Sequence, residues 1–179
     1  MNHLYEETLN SELKYDGLIL KVCHDTVRLE DNSVAGRDVV LHSGGVGVLP
    51  VTDDGNVILV KQFRYPQREV VLEIPAGKLE PGENPLECGK RELAEETGYF
   101  SHKIRELGMI FPTPAFCSEI IHIFLAEKIK SLPRRQGLDK DEFLDVIEMP
   151  FEEALRQVVA GEIKDAKTQI ALLKAKLIL

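Results

Sequence analysis

Between Asn84 and Gly98 both ends of a helix are written into the sequence, and the residues between them constrain everything built around it. Asn84 suits the N-cap, Pro85 suits the first helical position because its missing N–H would be unpaired there, and Gly98 can take the left-handed conformation that ends a helix. The spacing predicts a helix of roughly three and a half turns. Leu86 and Leu93, seven apart, give the apolar stripe that fastens it to a core. Its charges are placed at a cost. Glu92, Glu95 and Glu96 stand at i, i+3 and i+4, so three carboxylates share one face within about 100° and repel by roughly a few tenths of a kcal/mol per pair.

A bound divalent cation turns that penalty into an attraction. Magnesium takes a few carboxylates, keeps several waters and shares phosphate oxygens, which suits glutamates without His or Cys among them. Glu83, just before the helix, can add a further carboxylate. Gly89 is expected on the carboxylate face, leaving room for a phosphate. Arg91, four residues from both Glu87 and Glu95, can pair locally and orient a carboxylate.

The remaining chain reads as strands, then strands and helices. Leu18–Val22, Val39–Leu41, Val46–Leu49 and Val57–Val60 are β-rich runs separated by turn-formers, with Asp54-Gly55 a hairpin turn. Strands are expected near 104–110, 120–126 and 143–149, and amphipathic helices near 151–160 and 165–177. With 179 residues and 44% hydrophobic content, one good-sized core is affordable. The expected class is α/β, a mixed sheet flanked by helices, with an antiparallel β extension over residues 1–43 and the main domain over 44–179.

A net charge of −8 opposes binding to nucleic acid backbones or anionic membranes, so an anionic substrate must be held locally. Cys23, Cys88 and Cys117 lack the spacing of a zinc site or a disulfide framework, and the first residues lack a basic stretch followed by an apolar one. A cytoplasmic protein is expected. His122 interrupts the apolar run Ile120–Phe124 and is read as an ordinary strand histidine.

The segment Gly77 to Tyr99, GKLEPGENPLECGKRELAEETGY, resembles a complete Nudix box. The resemblance implies an α/β/α sandwich in which the box forms a loop, a helix and a loop, its glutamates bind magnesium (with manganese as a substitute), and water attacks a diphosphate. Carried over by position, it makes Glu92 and Glu96 the principal metal ligands, Glu95 and Glu83 supporting carboxylates and the Ala76 carbonyl a main-chain ligand. Glu95 has a second possible role as the partner of Arg91.

Outside the box, Val60–Arg64, Glu73–Gly77, Thr113-Pro114-Ala115-Phe116 and Asp139–Phe143 are similar to bacterial ADP-ribose pyrophosphatases, with Ala115 and Thr113 where that branch commonly has glycine and serine. The resemblance implies hydrolysis of ADP-ribose to AMP and ribose 5-phosphate by a homodimer built through the N-terminal strands. It places Thr113 and Pro114 in a loop near the substrate and Glu142 in a loop that supplies a metal-binding or water-activating carboxylate, with Asp139 and Asp141 as substitutes. Arg64, at the end of a strand, and Arg37 can each fork onto a diphosphate. A GDP-mannose or other nucleotide-sugar pyrophosphatase shares the box, and a non-catalytic nucleotide-binding Nudix domain is the further alternative.

Overall fold

The computed structural model describes residues 3–133, 137 and 143–179. They fall into two compact units, Met1–Gly44 with Phe111–Ile120, and Gly45–Ile110 with Ile121–Leu179. The first unit is a three-stranded antiparallel sheet of β1 (Glu7–Asp16), β2 (Leu20–Arg28) and β3 (Val34–His42), in that order. The strand expected from Leu18 begins at Leu20 instead. Leu18 and Ile19 lie in the turn, and the Gly17 N–H donates to the Leu20 carbonyl at 3.0 Å. Residues 111–120 belong here because Val40 donates to the Phe116 carbonyl at 2.7 Å and accepts from the Ser118 N–H at 2.9 Å.

The second unit holds β4 (Gly45–Pro50), β5 (Asn56–Arg64), β6 (Glu69–Glu73), β7 (Ala76–Lys78), helix α1 (Pro85–Glu92), β8 (Tyr99–Phe100), β9 (Lys103–Ile110), β10 (Ile121–Glu127), β11 (Lys130–Ser131), β12 (Leu144–Pro150), α2 (Phe151–Val159) and α3 (Ala166–Lys176). The strands divide into a four-stranded sheet β7-β4-β10-β9, a three-stranded sheet β12-β5-β6 and the pair β11-β8. Within the four-stranded sheet β4 and β10 pair in parallel while β10–β9 and β4–β7 are antiparallel, so the sheet is mixed. The β4–β5 turn forms at Asp54-Gly55, where Gly55 takes φ +80°.

Alternation along the two central strands explains their continuous apolar sequence, because both faces are covered. Val46 and Val48 of β4 with Phe124 and Ala126 of β10 pack in a cluster with Cys88 and Leu93. Leu49 of β4 with Ile123 and Leu125 of β10 packs in the opposite cluster with Ala171, Leu172 and Ala175 of α3. Helices therefore cover the sheet on both faces, the expected α/β/α arrangement. Among the described residues no helix is long and apolar enough to cross a membrane.

Candidate active site

The box helix begins as the sequence predicts. Asn84 is extended at φ −72°, ψ 130°, and its side chain accepts from the Leu86 N–H at 2.9 Å. Its second half departs from expectation. From Leu93 to Thr97 the chain is a π turn, with the Thr97 hydroxyl donating to the Leu93 carbonyl, and it ends on Gly98 at φ 74°. Short π segments cluster at functional sites, and this one carries Glu95 and Glu96.

Two carboxylates are turned inward. Glu92 is 8% exposed and Glu96 2%. Glu96 Oε2 accepts from the Ala76 N–H at 2.8 Å, which ties the helix to β7. Glu92 lies over Gly77, where an added Cβ would stand 1.8 Å from Oε1. Gly77 is thus the glycine the carboxylates require. Gly89 does not do what was expected of it: it is buried, and a Cβ there would meet Val48 at 3.1 Å and Phe124 at 3.4 Å, so it faces the core and allows close packing on β4 and β10.

Arg91 joins the other acidic groups. Its Nε and Nη2 each donate to Glu83 at 3.1 Å, and its Nη1 donates to Glu92 at 2.7 Å and Glu95 at 3.1 Å. Glu87, the other expected partner, is held by Lys90 at 2.7 Å. The Arg91 hydrogen bonds, with a further one from the Glu80 N–H, pull the Glu83 carboxyl down to about 2. Bonding to Glu83 and the Glu92 charge push Arg91 upward despite burial. Burial, then the neighbouring Glu83, pushes the Cys88 thiol up to about 12, so Cys88 is a packing residue and not a nucleophile.

The donor set suits a hard divalent cation, since it offers carboxylate and carbonyl oxygens and a glycine cradle with no soft ligand. Among the described residues, no three His, Cys, Asp or Glu side chains are grouped to hold a metal ion as they stand. The Arg91 guanidinium, itself a cation, spans Glu83, Glu92 and Glu95.

Arg64, at the end of β5, is gripped from one side. Its Nε and Nη2 donate to the two oxygens of Glu73 at 2.7 and 2.8 Å. Glu73 is 1% exposed and is shared with Lys167 of α3, which also donates to Asp165 at 2.9 Å. Sequence pattern alone assigns no role to Glu73, Asp165, Lys167 or Thr168. A lone carboxylate closing the apolar run Val70-Val71-Leu72 is the available signal.

Arg37, Thr113 and Pro114 lie in the first unit. Arg37 is forked onto Glu6, at 3.0 Å from Nε and 2.7 Å from Nη2. Pro114 follows Thr113 in a turn in which the Thr113 carbonyl accepts from the N–H groups of Phe116 and Cys117 at 3.4 and 3.0 Å. Proline suits the second position of such a turn, and Ala115 has no positive φ, so the turn needs no glycine there. Glu142, Asp139 and Asp141 lie outside the described residues. His122 stands 3.7 Å from Glu106, a strand-to-strand pairing.

A sheet covered on both faces by helices, with buried glutamates on a helix that leaves β7 through a glycine cradle, places the chain in a known class. It belongs to the Nudix hydrolase family, whose NUDIX domain matches residues 41–170, and Nudix hydrolases generally depend on a divalent metal. Within that family it is 42% identical over 172 residues to the ADP-ribose pyrophosphatase of Bacillus subtilis (strain 168), covering 96% of this chain and 93% of that protein. It is 39% identical over 173 residues to the methanol dehydrogenase activator of Bacillus methanolicus, covering 96% and 94%. The crystal structure of an ADP compounds hydrolase superposes with a TM-score of 0.85 at 19% identity, covering 99% of this chain and 96% of that one.

Proposed function

We propose that the protein hydrolyses the diphosphate of ADP-ribose to AMP and ribose 5-phosphate, with magnesium as its metal. The observation that carries this reading is the near full-length similarity to an ADP-ribose pyrophosphatase, together with a box in which Glu83, Glu92, Glu95 and Glu96 are all present and Glu92 and Glu96 are buried. Glu92 and Glu96, with Glu83, Glu95 and the Ala76 carbonyl, would hold the cation, and Arg91 would keep the carboxylates in place and yield part of its grip to it. When bound, the metal neutralises phosphate oxygens and lowers the pKa of a water.

Arg64 is the stronger of the two arginine candidates for the diphosphate. Glu73 takes the Nε and Nη2 edge, and the side chain is 41% exposed on the remaining side. Arg37 would have to release Glu6 first. Thr113 and Pro114 are assigned to nucleotide contacts, and Glu142 or a box glutamate to the proton of the attacking water.

A homodimer is supported by the first unit, where all ten residues of β1 are exposed, including Leu9, Leu13 and Tyr15. Sedimentation equilibrium showing only monomer at working concentration would refute it. A cytoplasmic location fits the three free thiols.

The deciding experiment is a panel assay with purified protein and magnesium. AMP release from ADP-ribose, outpacing GMP release from GDP-mannose, is the expected result. Preference for GDP-mannose replaces the substrate, and no hydrolysis of either removes the catalytic reading.

A further inference from the structure

We propose that the first turn of α3, through Asp165 and Lys167, positions Arg64 and sets how much positive charge it offers a diphosphate. This rests on the reading of Arg64 as the diphosphate arginine. The turn grips the segment before β7 at two points. Asp165 caps α3 by accepting from the Thr168 N–H at 2.9 Å and from its hydroxyl at 2.6 Å. The same hydroxyl oxygen accepts from the Ile74 N–H at 2.8 Å, two residues before Ala76. Lys167, 9% exposed, donates to both Asp165 and Glu73.

The charge count gives these contacts a purpose. Were Glu73 paired with Arg64 alone, a buried carboxylate would cancel the guanidinium and leave little attraction for an anion. Lys167 supplies a second cation to the same carboxylate, so the Arg64 charge is not wholly consumed. Asp165 works in the opposite direction, and its field reaches Arg64, as does that of Glu96 in the box. Geometry agrees with this division of labour. Glu73 holds the Nε and Nη2 edge in a two-point fork, which fixes the plane of the guanidinium and leaves Nη1 for another partner. Lys167 and Asp165 are positioning residues, acting only through Glu73 and Arg64.

The test compares wild type with Lys167→Met, Asp165→Asn, Arg64→Ala and the Arg64→Ala/Lys167→Met double variant. KM and kcat are measured on ADP-ribose with magnesium, and the Kd of ADP is measured by calorimetry in EDTA. Lys167→Met is expected to raise KM and Kd by about tenfold with kcat changed by less than about twofold. Asp165→Asn, which keeps a capping oxygen, is expected to move both constants the other way. In the Arg64→Ala background the Lys167 effect should largely vanish. Unchanged constants in either folded single variant, or an undiminished Lys167 effect without Arg64, would overturn the proposal. Should Lys167→Met not fold, the sign of the Asp165→Asn shift decides alone. If wild type does not turn over ADP-ribose while ADP binding follows the stated signs, the positioning role stands and the substrate reading falls.

Discussion

The Glu92 carboxylate lies against the backbone of Gly77, so that a Cβ built there would come within 1.8 Å of Oε1 and 2.0 Å of Cδ. Contacts this short cannot be absorbed by small adjustments. Gly77→Ala must therefore displace Glu92 from its place beside Arg91. Steady-state assays should show at least about a tenfold loss of kcat/KM, with the magnesium dependence shifted to higher concentration. Activity near that of wild type would mean that Glu92 does not need this position.

Glu96→Gln keeps the bond from the Ala76 N–H, since an amide oxygen accepts as well as a carboxylate, but removes a charge. Its circular dichroism should match wild type. Its activity should need roughly 10–100-fold more magnesium, or be lost altogether. Wild-type turnover at limiting magnesium would remove Glu96 from the metal site.

The Glu73 network has a defined pH window. Burial raises the Glu73 carboxyl, but bonding to Arg64 and the charge of Lys167 outweigh it and hold it below the ordinary 4.5. A carboxyl whose folded pKa is depressed contributes stability that is complete above its unfolded pKa and is lost as pH falls through the folded one. At pH 7, Glu73→Gln should cost about 3 kcal/mol in urea unfolding, because it leaves two cations beside a buried uncharged group. Below pH 4.5 that difference should shrink as wild type itself becomes protonated. A gap that stays constant down to acid unfolding would contradict the pairing.

Gly89 gives a prediction of the opposite kind. Because its missing side chain faces Val48 and Phe124, Gly89→Leu should overpack the core and destabilise by about 2 kcal/mol. The folded fraction should retain its kcat within about threefold. A selective loss of activity with normal stability would restore the expectation that this glycine makes room for phosphate.

The helix ends were legible because capping is local: Asn84, Pro85 and Gly98 each act on backbone groups within one turn. The strands were legible where burial on both faces made them continuously apolar, as in Val57–Val60. The π turn was not, because one extra residue in a helical turn leaves no mark on a pattern of apolar residues spaced seven apart. That change of pitch moves Glu95 and Glu96 off their places on an ideal helix wheel, whereas Gly89 lies in α1 before it and its face is set by packing on Val48 and Phe124, which spacing alone does not record. The i, i+4 spacing pairs Arg91 with Glu95, while its fork onto Glu83 depends on a loop whose path no periodicity records. Arg37 and Glu6, 31 residues apart, and Glu73 and Lys167, 94 apart, meet only through tertiary structure.

The bond from the Ile74 N–H to Thr168 spans 94 residues of chain, and the parallel pairing of β4 with β10 likewise joins distant segments. Contacts of such long sequence separation form only after a large loop has been closed, and chains dominated by them fold slowly. On the ribosome, the Glu73–Gly77 segment emerges well before the turn that clamps it. Until α3 docks, Glu73 has no lysine and Ile74 no hydroxyl to bond. The nascent chain is therefore expected to lack the Arg64–Glu73–Lys167 network until α3 docks, and to complete it in one late step of folding.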